Sequence, residues 1–108
     1  MPLNWDAVTA ETVQHLQALL RLDTTNPPGN ETLAAEYLAG VLRSAGFDPV
    51  ILGAAPTRGN MLVRLKGDGT APPLLLYSHT DVVPAEPEHW THPPFAAEIA
   101  QNSNSADE

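Results

Sequence analysis

The dipeptide Pro27-Pro28, set in "DTTNPPGN" (23–30), divides the chain before anything else is considered. Neither proline has a backbone N–H, and both clash with a preceding helical turn, so no helix passes through them. Gly29 directly after them permits a turn. Six further prolines fall between 72 and 94, at 72, 73, 84, 87, 93 and 94. Ahead of the first break, apolar residues at 5, 8, 13, 16, 19, 20 and 22 form a helical stripe, with Glu11, Gln14 and Gln17 between them. The spacing predicts a helix over 5–22, capped by Asn4 or Thr9. Past the break, Leu33, Ala34, Tyr37, Leu38, Val41, Leu42 and Ala45 predict a second helix over 31–45. Asn30 stands at its N-cap, Glu31 at the positive end of its dipole and Gly46 at the C′ stop.

Three strand candidates follow. "FDPVIL" (47–52) contains Pro49, which confines it to a sheet edge. "NMLVRLK" (60–66) alternates, with Met61, Val63 and Leu65 on one face and Arg64 and Lys66 on the other. "LLLY" (74–77) is apolar throughout, the pattern of a central strand covered on both faces, with Tyr77 in the core. The order helix, helix, strand, strand, strand implies an α/β or α+β arrangement in which two helices pack on a partial mixed sheet. A third-in-sequence central strand calls for more strands than these, so the expectation is an incomplete domain. Residues 1–99 are expected to form the ordered part. The small, polar, acidic residues 100–108 are expected to be a disordered or divergent tail.

Five basic against thirteen acidic residues give a net charge of −8. Nucleic acid is excluded as a partner, because phosphate contacts need clustered Lys and Arg, and anionic membrane surfaces are excluded for the same reason. The longest unbroken apolar run is Leu74–Tyr77, far short of a membrane span, and the N-terminus has no basic start followed by an apolar segment. A cytoplasmic location is the expectation. With no cysteine there is neither a disulfide framework nor a thiolate ligand.

The chemistry gathers where the 74–77 run ends. In extended backbone, residues two apart project to the same side, so His79 and Asp81 emerge together at the carboxyl end of the strand, where open α/β sheets place ligands. An imidazole with a carboxylate on its second nitrogen is a metal ligand whose tautomer is fixed. The same pair fits a loop histidine that is merely hydrogen-bonded, and the spacing leaves both open. His89 and His92, near Glu86 and Glu88, could form a single-ion site with the 79–81 pair, but among Pro87, Pro93 and Pro94 they read as solvated loop residues. His15 reads as a surface residue of the first helix. Asn60 reads as a strand-start residue, and Asn26-Pro27-Pro28-Gly29 as turn chemistry.

The segment "LLLYSHTDVVPAEPEHWTHPPF" (74–95) resembles the hallmark segment of the zinc-dependent aminoacylase/carboxypeptidase metallopeptidase family. Its pattern is an apolar strand, His-x-Asp-x-Val-Pro, a short loop, Trp and then Pro-Phe, met here by His79, Asp81, Val83, Pro84, Trp90, Pro94 and Phe95. "TTNPPGNE" (24–31) and "RGNMLVRLKG" (58–67) resemble the family's opening loop and first sheet strands. The resemblance implies the N-terminal portion of a zinc-peptidase-like catalytic domain. It implies a metal ligand at His79, a catalytic Asp81 that orients it, and packing roles for Trp90 and Phe95. It further implies two zinc ions, with cobalt or manganese as alternatives, and hydrolysis of an amide bond in a small peptide or N-acyl amino acid. A glutamate general base and a dimerisation domain belong to the family but have no counterpart here.

The resemblance also implies a Gly-Arg-Gly-x-x-Asp segment whose Asp bridges the metals. "AQNSNSADE" (100–108) stands where it would begin, and Asp107 lacks that context. The expectation is therefore a chain inactive by itself, for want of the remaining ligands. The alternative is a small non-enzymatic module of the same fold that binds a partner through an open sheet edge.

Overall fold

A computed structural model describes residues 1–101, and residues 102–108, most of the expected tail, lie outside them. The elements in order are α1 (Trp5–Leu20), α2 (Glu31–Ser44), β1 (Val50–Leu52), β2 (Asn60–Leu62) and a 3-10 turn, η1 (Pro87–His89). Two helices and a two-stranded antiparallel sheet make a small mixed α/β architecture, as an incomplete domain would show. The chain divides into two compact units, one formed by residues 23–84 and the other by 1–22 with the segment after 84.

The unit of residues 23–84 is built around α2. Ala34, Ala35 and Ala39 are its buried apolar residues, and the helix packs on both strands. The strands pair antiparallel, with Val50 opposite Leu62 and Leu52 opposite Asn60. Gly46 stops the helix as its position implies. With φ of +90° it turns the chain so that its own N–H reaches Arg43 O and the Phe47 N–H reaches Leu42 O, a Schellman stop. Asn30 holds the N-cap position without a side-chain bond. Instead the first turn is tied to the loop ahead of β2. Thr32 N–H donates to Thr57 O, its hydroxyl donates to Pro56 O, and Gly59 N–H donates back to that hydroxyl at 2.8 Å.

Arg58 completes the tie. Its Nε donates to both carboxylate oxygens of Glu31, at 2.9 and 2.7 Å. Gly29 allows this approach: its φ is +84°, and a Cβ there would lie 2.6 Å from Arg58 Nε. The Arg58 hydrogen bond is the main reason the Glu31 carboxyl is held below its ordinary range. Because the folded value lies below the unfolded one, the pair's contribution is complete above the unfolded value of about 4.3 and is lost as pH falls through the lower folded value. The amide signals of Thr32 and Leu33 are therefore expected to hold constant above the ordinary glutamate range and to shift only as pH falls below it. In Arg58→Ala this acid step should flatten. An unchanged acid step in the variant would remove the pair from the account.

Two expectations for this unit are corrected. The apolar face of 60–66 keeps its alternation only at Met61 and Val63, and Leu65 is exposed. Leu74–Tyr77 is not a covered strand: the four residues are between 78% and 87% exposed, and Tyr77 is not in the core. Its apolar character is that of a strand flanked on both sides, but among the described residues no strand pairs with it.

In the other unit, α1 starts at Asn4, whose side chain accepts the Ala7 N–H at 3.1 Å. No residue of this helix is buried. Gln17 donates its side-chain amide to Ala97 O at 2.8 Å, which ties the helix to the segment after η1. His15 pairs with Glu11 on the helix surface. Trp90, expected to pack, is 56% exposed, while Phe95 is half-buried. Among the described residues no helix is long and apolar enough to cross a membrane.

Candidate metal-ligand site

The strongest sequence candidates, His79 and Asp81, lie in the unit of residues 23–84, just after the exposed 74–77 run. Two backbone bonds hold this stretch against the Pro-Pro loop in parallel register: Val82 N–H to Thr24 O, and Asn26 N–H to Val82 O. The Thr24 side chain, buried, donates its hydroxyl to Thr80 O at 2.6 Å. The 23–29 loop is itself braced at its start, where Asp23 accepts from both the Thr25 N–H and its hydroxyl. The frame under the site is therefore a loop-to-strand clamp of 24–26 on 80–82.

On this frame His79 Nδ1 lies 2.9 Å from Asp81 Oδ1 and 3.1 Å from the Asp81 carbonyl oxygen. Both partners are acceptors, so Nδ1 carries a proton, and in the neutral ring the lone pair lies on Nε2. The ring is 76% exposed, and among the described residues Nε2 has no hydrogen-bond partner. The other carboxylate oxygen, Asp81 Oδ2, accepts from the Asn26 side-chain amide at 3.0 Å. That bond first, and the His79 contact second, hold the Asp81 carboxyl below its ordinary range. Asp81 is thus a carboxylate at neutral pH, with each oxygen committed to one neighbour.

The structure brings His79 and Asp81 together as expected and adds Asn26, which the sequence offers only as turn chemistry. No spacing signal could have found it, since 55 residues separate Asn26 from Asp81. Within the other unit, Glu86, Glu88 and His89, all exposed, are the only group of three or more close ligand types among the described residues. His89 pairs with Glu86, and His92 pairs with Glu98 at 2.7 Å.

A metal ion fits this site through one donor. The His79 side chain is 76% exposed, Nε2 has no partner among the described residues, and a carboxylate stands behind the ring on Nδ1, as it commonly does for histidine ligands. The remaining ligands of a catalytic centre are not found among the described residues.

No family model matches the chain. Among curated proteins it is 40% identical over 95 residues to the succinyl-diaminopimelate desuccinylase of Hydrogenovibrio crunogenus, a match covering 83% of this chain and 23% of that protein. The desuccinylase of Methylobacterium sp. (strain 4-46) is 43% identical over 88 residues, covering 77% and 21%. That of Methylorubrum extorquens is 42% identical over 90 residues, covering 78% and 22%. Over most of its length the chain is thus a homologue of part of these desuccinylases, and with the His-Thr-Asp element and its flanking motifs the matches support the resemblance to the aminoacylase/carboxypeptidase family. It resembles the succinyl-diaminopimelate desuccinylases in particular, and spans between a fifth and a quarter of their length.

Proposed function

We propose that this chain carries the histidine–carboxylate element of a metal-dependent amide hydrolase of desuccinylase type. The complete enzyme would act in the cytoplasm on a small N-acyl amino acid, with an N-succinyl group as the leading candidate. The observation that carries the reading is the pairing of His79 with Asp81: Nδ1 is engaged by the Asp81 carboxylate while the ring is 76% exposed. The names of the relatives support amide hydrolysis, and desuccinylation is what those names state of them.

In this reading His79 Nε2 offers its lone pair to one of two metal ions, zinc first and cobalt or manganese otherwise. Asp81 accepts the Nδ1 proton, keeps the ring in one tautomer and raises the basicity of the ligating nitrogen. Asp81 also places a fixed negative charge beside the reacting centre. A bound metal ion there supplies a polarised carbonyl and a water acidified toward neutral pH. The exposure of the ring leaves room for the partner ligands and the substrate.

A chimera tests the reading. In the Hydrogenovibrio desuccinylase, the matching segment is replaced by residues 5–99 of this chain. The chimera is expected to retain desuccinylase activity within about 100-fold of its parent, since outer-shell changes around a metal ligand cost 10–100-fold. A folded chimera with no activity would reject the proposal.

A further inference from the structure

We propose that Asn26 is a positioning residue for the metal-ligating histidine, acting through the Asp81 carboxylate; the inference rests on the reading of His79 as a ligand. The geometry has three parts. Asn26 Nδ2 donates to Asp81 Oδ2 at 3.0 Å, while Oδ1 of the same carboxylate takes the His79 Nδ1 proton at 2.9 Å. The carboxylate plane is therefore gripped from both ends. Asn26 is itself fixed by its backbone N–H, which donates to Val82 O at 2.8 Å, one residue beyond Asp81. The donor thus comes from the Pro-Pro loop, and its position relative to Asp81 is set by main-chain bonds that do not depend on its side chain.

The consequence is specific. An aspartate held only by an exposed imidazole can rotate about χ2 and release the ring. A second donor on the opposite oxygen removes that freedom, so the ring remains in the Nδ1–H form with Nε2 ready to ligate. The Thr24 hydroxyl, by contrast, bonds the Thr80 carbonyl and contributes to the clamp without touching the carboxylate.

The test is the tautomer of the neutral His79 ring in the full 108-residue chain, read from its imidazole ¹⁵N shifts. Wild type is expected to show a dominant Nδ1–H form. Asn26→Asp, which keeps the shape but loses the donor, and Asn26→Ala should both turn the majority to the Nε2–H form that free side chains favour. Thr24→Val should leave the tautomer as in wild type. Backbone amide shifts at 24–26 and 80–82 select the variant in which the clamp persists, and that variant is the one read. A wild-type Nδ1–H ring that stays Nδ1–H in the clamped Asn26 variant would overturn the positioning role and leave His79 as a ligand candidate. A loss of the Nδ1–H form in Thr24→Val equal to that in the Asn26 variant would also overturn it, by reducing Asn26 to clamp stability. A wild-type ring found in the Nε2–H form would overturn the reading of His79 itself, and the inference with it.

Discussion

Incubated with N-succinyl amino acids and zinc, the 108-residue chain is expected to give no hydrolysis above the buffer rate. The reason is arithmetic in ligands. A catalytic zinc centre takes about three protein ligands plus water, and the His79–Asp81–Asn26 cluster supplies one free donor nitrogen. Zinc binding worth roughly 10–16 kcal/mol needs a full ligand set. A lone imidazole falls far below that, so no stoichiometric binding is expected at about 1 μM free zinc, where half-saturation would need about 8 kcal/mol. The exposed Glu86, Glu88 and His89 group does not alter this, because Glu88 and His89 lie on the 3-10 turn and Glu86 at its N-cap, with every member exposed. Turnover assays with and without a chelator, alongside a zinc titration, check both statements. Chelator-sensitive turnover by this chain would contradict the ligand count.

The second large effect concerns stability. Among the described residues the buried apolar side chains are those of Ala34, Ala35, Ala39 and Pro49, and no large apolar side chain is fully buried. Burial of a Leu or Phe side chain contributes about 1.5–3 kcal/mol, whereas these small side chains contribute little. Meanwhile Leu74, Leu75, Leu76 and Tyr77 stand exposed in succession, an apolar run of the kind that marks a surface meant to be covered. The isolated chain is expected to melt broadly and to bind the dye ANS strongly. Its slowest-exchanging amides should lie in α2 and the paired residues of β1 and β2, with α1 exchanging near the rate of an isolated helix. Replacing Leu75 and Tyr77 with Ser should lower dye binding several-fold without loss of α2 protection. A sharp, cooperative melt with no dye binding would show that the 74–77 run is covered after all.

Much of the local structure was legible because it is decided within a few residues. The 3.6-residue spacing of apolar positions located both helices to within two residues of their ends. Asn4 and Gly46 act at the caps where side-chain chemistry and backbone freedom place them. What a strand becomes depends instead on neighbours far along the chain. "LLLY" has the composition of a central strand, and that composition reports the environment such a strand is suited to rather than one these residues provide. Its prolines at 72 and 73 and the lack of a pairing strand among the described residues leave it extended and bare. The same division holds at the site. The His79–Asp81 contact is local and follows from the period of extended backbone. The Asn26 contact is made across a loop, and a side-chain amide in a Pro-Pro turn carries no mark of the carboxylate it will meet.

At the centre stands the assignment of His79 Nε2 as a metal donor, and its most direct test is a metal count. In the desuccinylase chimera carrying residues 5–99, metal content per folded protomer is measured after dialysis against metal-free buffer, with His79 intact and with His79→Ala. The account predicts that the substitution removes about one ion per protomer while the fold measured by circular dichroism persists. An undiminished metal content in His79→Ala would contradict it.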